Sequence, residues 1–278
     1  MKTIGFVDYY ISEWHANNYP VWIKEICEST GRDLGVAYAW AERDISPGDG
    51  VSTDEWCKKF GVERCMELSE LCEKADFIFI LAPSDPEKHL RYAETVFPFG
   101  KLTYIDKTFA HDHYAALRIF EEGNKHGTPF FSTSALRYAT ELDELGDSDN
   151  VIMTGGGGNF EEYIIHQIEP AVKLVRSRAV AAYAYDQGGQ TVSRVKFENG
   201  KCATLVYAAP LPFTVCAEKG GSSCYRQIKS DYFRGLMTDI LRFYETGKIS
   251  FDTTETLEVM RIRDAVVKSR KTGEEIEL

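Results

Sequence analysis

Through the first half of the chain, short unbroken apolar runs alternate with stretches of helical spacing. The runs Thr3 to Val7, Leu34 to Ala41, Phe77 to Leu81, Leu102 to Ile105 and Pro129 to Ser132 have the length and the β-branched or aromatic content of strands. Apolar residues fill both faces of each run, as in parallel strands covered by helices on either side. Right-handed crossovers then give a doubly wound sheet. Pro86 to Phe97 and His111 to Gly127 read as crossover helices. Pro20 is expected to break the first helical region, or to sit in the first turn of a helix that starts late, so a long first strand-to-helix loop is expected.

The pattern changes near residue 150. Val151-Ile152-Met153 precede four glycines, Gly155 to Gly158, and an amphipathic segment from Phe160 to Leu174. Val192 to Phe197 and Cys202 to Ala208 flank Glu198-Asn199-Gly200-Lys201, and Asn-Gly between two strand-like runs signals a hairpin. Strand character continues through Val215 and Tyr225. Phe233, Leu236, Met237, Ile240, Leu241 and Tyr244 then line one helix face, with Ser230 as its N-cap and Gly247 as its stop, and another helix follows Thr254. The chain therefore reads as α/β. Residues 1–133 form a Rossmann-like domain with a doubly wound parallel sheet, and residues 134–278 an α+β domain with an open, mainly antiparallel sheet. No internal repeat or long linker is visible.

Length and charge narrow the function classes. The 278 residues suffice for two domains with real cores. A net charge of -11, without a run of Lys or Arg, argues against nucleic-acid and anionic-membrane partners and for a small soluble one. Cysteines 27, 57, 65, 72, 202, 216 and 224 are scattered, odd in number and lack a C-x-x-C pair, so reduced, mostly buried thiols are expected rather than a disulfide framework or a metal site. A strand begins within a few residues of Met1 and no apolar run has membrane-spanning length, so neither signal peptide nor anchor is expected, and the expected compartment is the cytoplasm.

The turn after the first strand carries the most pointed chemistry. A dinucleotide-binding turn uses glycines at its first, third and sixth positions, which let the backbone turn tightly and approach a pyrophosphate at a helix N-terminus. Here those positions hold Asp8, Tyr10 and Glu13. Two bring negative charge where the pyrophosphate would sit. His15 and the aromatic residues Tyr9, Tyr10 and Trp14 suit either a rebuilt stacking pocket or ordinary core.

Four segments, in their order and separation, carry a family resemblance: Phe77-Ile-Phe-Ile-Leu-Ala-Pro-Ser-Asp-Pro-Glu-Lys-His89, Gly100 to Thr108, Phe243-Tyr-Glu-Thr-Gly-Lys248 and Ser269-Arg-Lys-Thr-Gly273. Over nearly the whole chain they resemble the Gfo/Idh/MocA oxidoreductases. The most specific signals are the strand-end Glu-Lys-Pro of that family, here Asp106-Lys107-Thr108, and an acid-x-x-x-His, here Glu162-Tyr-Ile-Ile-His166. The resemblance implies NAD or NADP as cofactor, a sugar or polyol as substrate, and a homodimer or higher homo-oligomer. It places Tyr10, Ile11, Glu42 (one place beyond Ala41, where the ribose-binding acid aligns), Ser84, His89 and Asp106 beside the dinucleotide.

The expected chemistry is removal of a hydroxyl proton, for which a neutral imidazole suits pH near 7. His166 is the candidate base. Glu162, one helical turn earlier, would orient or charge-stabilise it, and Lys107 would hold a substrate hydroxyl. Thr108 replaces the family proline, which leaves the aim of Lys107 open. His89 could equally brace its own helix, the His111-x-His113 pair most simply starts a surface helix, and Gly155 to Gly158 could form an anion nest or a plain turn. Two functions stay open: an NAD(P)-dependent oxidoreductase, or a relative without its dinucleotide, serving as a ligand-binding or regulatory protein or a cofactor-independent isomerase.

Overall fold

A computed structural model describes all 278 residues. They divide into two compact units: Met1–Thr133 with Leu236–Phe251, and Ser134–Gly235 with Asp252–Leu278.

The first unit is built on six strands, β1 Lys2–Asp8, β2 Leu34–Ala41, β3 Glu63–Arg64, β4 Phe77–Ile80, β5 Thr103–Ile105 and β6 Phe130–Phe131. All pair in parallel, in the order β3-β2-β1-β4-β5-β6. Its crossover helices are α1 Trp14–Thr30, α2 Thr53–Phe60, α3 Leu68–Lys74, α4 His89–Val96 and α5 His113–His126. Strand order reverses between β1 and β4, and the carboxyl ends of strands at such a switch point are where open α/β sheets take ligands.

Two expectations about the first crossover are corrected. The loop is short, Tyr9 to Glu13, because the Glu13 side chain caps α1 and starts it at Trp14; Pro20 lies inside the helix rather than at its beginning. The missing proline N–H costs one helical bond without stopping the helix, whose face from His15 to Cys27 is buried against the unit. The two-residue strand β3 is too short to leave a hydrophobic signature.

Aromatic side chains knit neighbouring strands together. Phe6 of β1 meets Phe79 of β4 at 5.2 Å, Phe79 meets Tyr104 of β5 at 5.3 Å, and Tyr104 meets Phe131 of β6 at 5.3 Å. The returning segment Leu236–Phe251, expected in the second domain, adds Tyr244. That ring stacks on Phe77 at 4.5 Å and its hydroxyl donates to the Ile78 carbonyl at 2.7 Å. These contacts account for its place in the first unit.

The second unit carries α6 Thr140–Asp143, β7 Asn150–Gly155, α7 Phe160–Tyr163, α8 Ile165–Val175, β8 Ala179–Gln187, β9 Gln190–Phe197, β10 Cys202–Tyr207, β11 Thr214–Lys219 and β12 Ser222–Gln227. Helix α9, Tyr232–Thr246, passes into the first unit at Leu236, and α10 Thr254–Thr272 and β13 Ile276–Glu277 complete the chain. The sheet is mixed and mainly antiparallel, in the order β12-β11-β7-β10-β9-β8-β13; only β7 and β10 run parallel. The Asn-Gly hairpin forms as expected, with Asn199 and Gly200 at φ 61° and 78°. The N-cap of α9 is Asp231 rather than Ser230, whose hydroxyl is taken by Glu141. Gly247 ends the helix at φ 68°.

No helix is long and apolar enough to cross a membrane. The cysteines are all unpaired thiols, with Cys27, Cys57, Cys65 and Cys72 buried.

Candidate functional site

The end of β1 and the start of α1 are a nest of carboxylates. Asp8 is 1 % exposed; its Oδ1 accepts from the backbone N–H groups of Tyr9 at 2.7 Å and Ala82 at 3.0 Å, while its Oδ2 is buried with no partner. Burial, and then the charge of Glu13, push the Asp8 carboxyl well above its ordinary range. Glu13 has extended backbone, and its carboxylate accepts from the first-turn amides of α1, His15 N at 2.7 Å and Ala16 N. The loop between them is pinned: Ser12 N donates to Ser46 Oγ at 2.9 Å and Ser12 Oγ to Asp49 at 2.7 Å.

In the first turn of α1, the His15 imidazole meets Asp106 Oδ2 through Nδ1. Tyr19 stacks on that imidazole at 5.1 Å and its hydroxyl lies 3.2 Å from Nδ1. Tyr104 donates to Asp106 Oδ1 at 3.2 Å. Although burial opposes ionisation, His15 and Lys107 hold the Asp106 carboxyl below its ordinary range. Lys107 itself is buried, 9 % exposed, and the peptide joining it to Thr108 is cis. The strand-end acid is thus committed to α1.

Other residues expected beside a dinucleotide have partners of their own. Glu42 receives the Tyr92 hydroxyl at 2.7 Å and the Arg91 guanidinium, and Lys88 lies over the Tyr9 ring at 4.3 Å. His89 is fully buried, with Nδ1 2.9 Å from the Phe109 carbonyl and Nε2 on the Leu81 carbonyl, which makes it a brace between α4 and the strand ends. Ile11 is buried, Tyr10 half-buried beside Tyr9, and Ser84 exposed. His111 flanks Asp112, the N-cap of α5, and no group of three or more His, Cys, Asp or Glu side chains could hold a metal ion.

In the second unit the segment Phe160 to Leu174 is interrupted at Ile164, so Glu162 belongs to α7 and His166 to α8. Glu162 accepts from Asn159 Nδ2 at 2.9 Å, and His166 Nδ1 lies 2.8 Å from Ser134 Oγ. Tyr163 and Phe213 set their ring edges against the imidazole at 5.5 and 6.0 Å. Ser134 Oγ also accepts from Leu136 N, and its second lone pair can take an Nδ1 proton, the tautomer in which the other ring nitrogen is the basic one. Ser134 carries no sequence signal. The glycine run is packed rather than open: a Cβ on Gly156 would come within 2.3 Å of the Ala208 carbonyl oxygen, and Gly157, at φ 149°, lies under the Tyr163 ring.

No family model and no curated protein matches the sequence. Solved structures do match. A structure of GenD2 from gentamicin A biosynthesis in complex with NAD is 12 % identical, covering 100 % of this chain and 97 % of its own, with a TM-score of 0.80. A myo-inositol dehydrogenase from Corynebacterium glutamicum gives 11 %, 100 % and 98 %, and 0.78. A scyllo-inositol dehydrogenase from Lactobacillus casei, with bound NAD(H) and scyllo-inositol, gives 14 %, 99 % and 98 %, and 0.76. At such identities the likeness is one of fold, and the fold is that of Gfo/Idh/MocA-type dehydrogenases.

The dinucleotide that this fold implies does not fit the residues present. A pyrophosphate needs the first-turn amides of α1, which Glu13 holds, and would lie beside the carboxyl groups of Glu13, Asp8 and Asp106.

Proposed function

We propose that the protein is an enzyme of proton transfer at a sugar or a keto-polyol, carried on the dehydrogenase fold and working without a resident dinucleotide. The observation that carries this reading is the Glu13 carboxylate on the α1 amides. His166 is the base, oriented by Ser134, with Glu162 beside its helix. Such a site can isomerise a hydroxy-carbonyl compound: the C–H next to the carbonyl is broken, its proton passes through the imidazole to the former carbonyl carbon, the hydroxyl proton passes to the former carbonyl oxygen, and no electron leaves the substrate.

The fold supports a second reading, an oxidoreductase that removes hydride from a sugar or polyol hydroxyl to NAD or NADP. Titration with NADH and NADPH, by calorimetry and reduced-nicotinamide fluorescence, separates the two. We expect no binding up to millimolar cofactor, and enzyme-dependent deuterium uptake from D2O by a member of an aldose, ketose and inosose panel. His166→Ala is expected to slow that uptake by about 10²–10⁴-fold. Micromolar cofactor binding with polyol-dependent NADH formation would replace this reading by the dehydrogenase one.

A homo-oligomer forms, in the same proposal, through the uncovered face of the seven-stranded sheet. There Tyr225, Cys216, Ile152, Thr204, Arg194 and Tyr183 register in one row across β12, β11, β7, β10, β9 and β8, with Ile152 50 % exposed. Light scattering is expected to give a multiple of the 31.5 kDa chain mass, and Ile152→Asp to lower it. A monomeric wild type would rule the interface out.

A further inference from the structure

We infer that Glu13 is an internal anion that occupies the seat of the pyrophosphate, so that the anion site at the head of α1 is intact beneath it and held shut by this one side chain. The inference deepens the redox-free reading, on which its physiological sense rests. Helix α1 runs from Trp14 to Thr30, long enough to carry a full positive end, and it has no other acidic residue in its first turn. Both carboxylate oxygens of Glu13 are used, Oε2 on His15 N and Oε1 on Ala16 N. These are the donors that a bound phosphate oxygen would need.

A second observation points to the same place. Asp8 Oδ2 is buried at the end of β1 with no partner, and Asp8 and Glu13 feel each other's charge. A buried polar atom without a partner is costly, and a protonated Oδ2 is a donor that a phosphate oxygen seated here would accept. The surroundings are rigid: α1 is tied to β5 by His15 and Asp106, and the loop by Ser12 to Ser46 and Asp49. Removing the Glu13 side chain therefore vacates two aligned amides without loosening the backbone that aims them. Glycine is itself an acceptable N-cap, close to the best residues, so Glu13→Gly should stay folded.

The test is calorimetric titration of wild type, Glu13→Gly and Glu13→Gln with inorganic pyrophosphate and with NADH, alongside thermal melts. Wild type is expected to bind neither ligand below millimolar. Glu13→Gly is expected to bind pyrophosphate at least about tenfold more tightly, with NADH following. Glu13→Gln keeps an acceptor on the amides and should gain much less. A Gln gain equal to the Gly gain would assign the effect to charge rather than to occupancy and overturn the inference. If neither variant binds while both melt as folded proteins, the inference fails and the redox-free reading stands. Should wild type bind NADH at micromolar concentration with no improvement in Glu13→Gly, both fall together.

Discussion

Arg137→Met is expected to cost about 3–5 kcal/mol of stability, the largest single-residue effect in the second unit. Arg137 is 5 % exposed; its Nε donates to Glu169 Oε1 at 2.6 Å and its guanidinium pairs with the Glu255 carboxylate. Glu169, 2 % exposed, would lose the buried guanidinium that pairs with it. For a protein of this size the loss corresponds to a fall in melting temperature of about 6–20 °C. The double change Arg137→Met with Glu169→Leu should recover most of it, because two apolar residues leave no unpaired charge, and Glu255, with a side chain 31 % exposed, can turn to water. Thermal and urea unfolding followed by circular dichroism check both. A cost below about 1 kcal/mol for the single variant would mean that the buried charge finds another partner.

The cluster also marks where the sequence stops being readable. Arg137, Glu169 and Glu255 are held together across long separations, and no period or motif relates them. The same holds for His15 with Asp106, 91 positions apart, and Ser134 with His166, 32 apart. What could be read was local. The run Leu34 to Ala41 is β2 residue for residue, an unbroken apolar stretch of strand length. Asn199-Gly200 marks its hairpin because few other residues accept positive φ. Helix α9 showed its apolar stripe but not what the stripe packs on, and so Leu236–Phe251 was expected in the wrong unit. Glu13 was legible as a charge in the phosphate turn. Its role as a cap was not, since N-caps are usually Ser, Thr, Asp or Asn and Ser12 stands just before it.

Asp8→Asn is expected to stabilise the protein, increasingly as pH rises. Asparagine can keep the Oδ1 bonds from Tyr9 N and Ala82 N, and it removes an ionisable group whose Oδ2 has no partner. The Asp8 pKa is raised in the folded chain, by burial first and Glu13 second, so between the ordinary carboxylate range and the folded value the native state binds the extra proton. Wild-type stability from this group is then highest at low pH and is lost as pH rises through the folded pKa. Asp106 contributes with the opposite sign: its lowered pKa gives stability above the ordinary carboxylate range that is lost on acidification, but it is common to both proteins and drops out of the difference. The variant should match wild type near pH 4 and exceed it by about 1–3 kcal/mol near pH 8. Urea titrations at several pH values measure this, and parallel profiles would sink it. A diverging pair would show that Asp8 keeps its proton well above the ordinary carboxylate range. Where that proton is held, the negative charge that turns a pyrophosphate away from α1 rests on Glu13 and Asp106 rather than on Asp8.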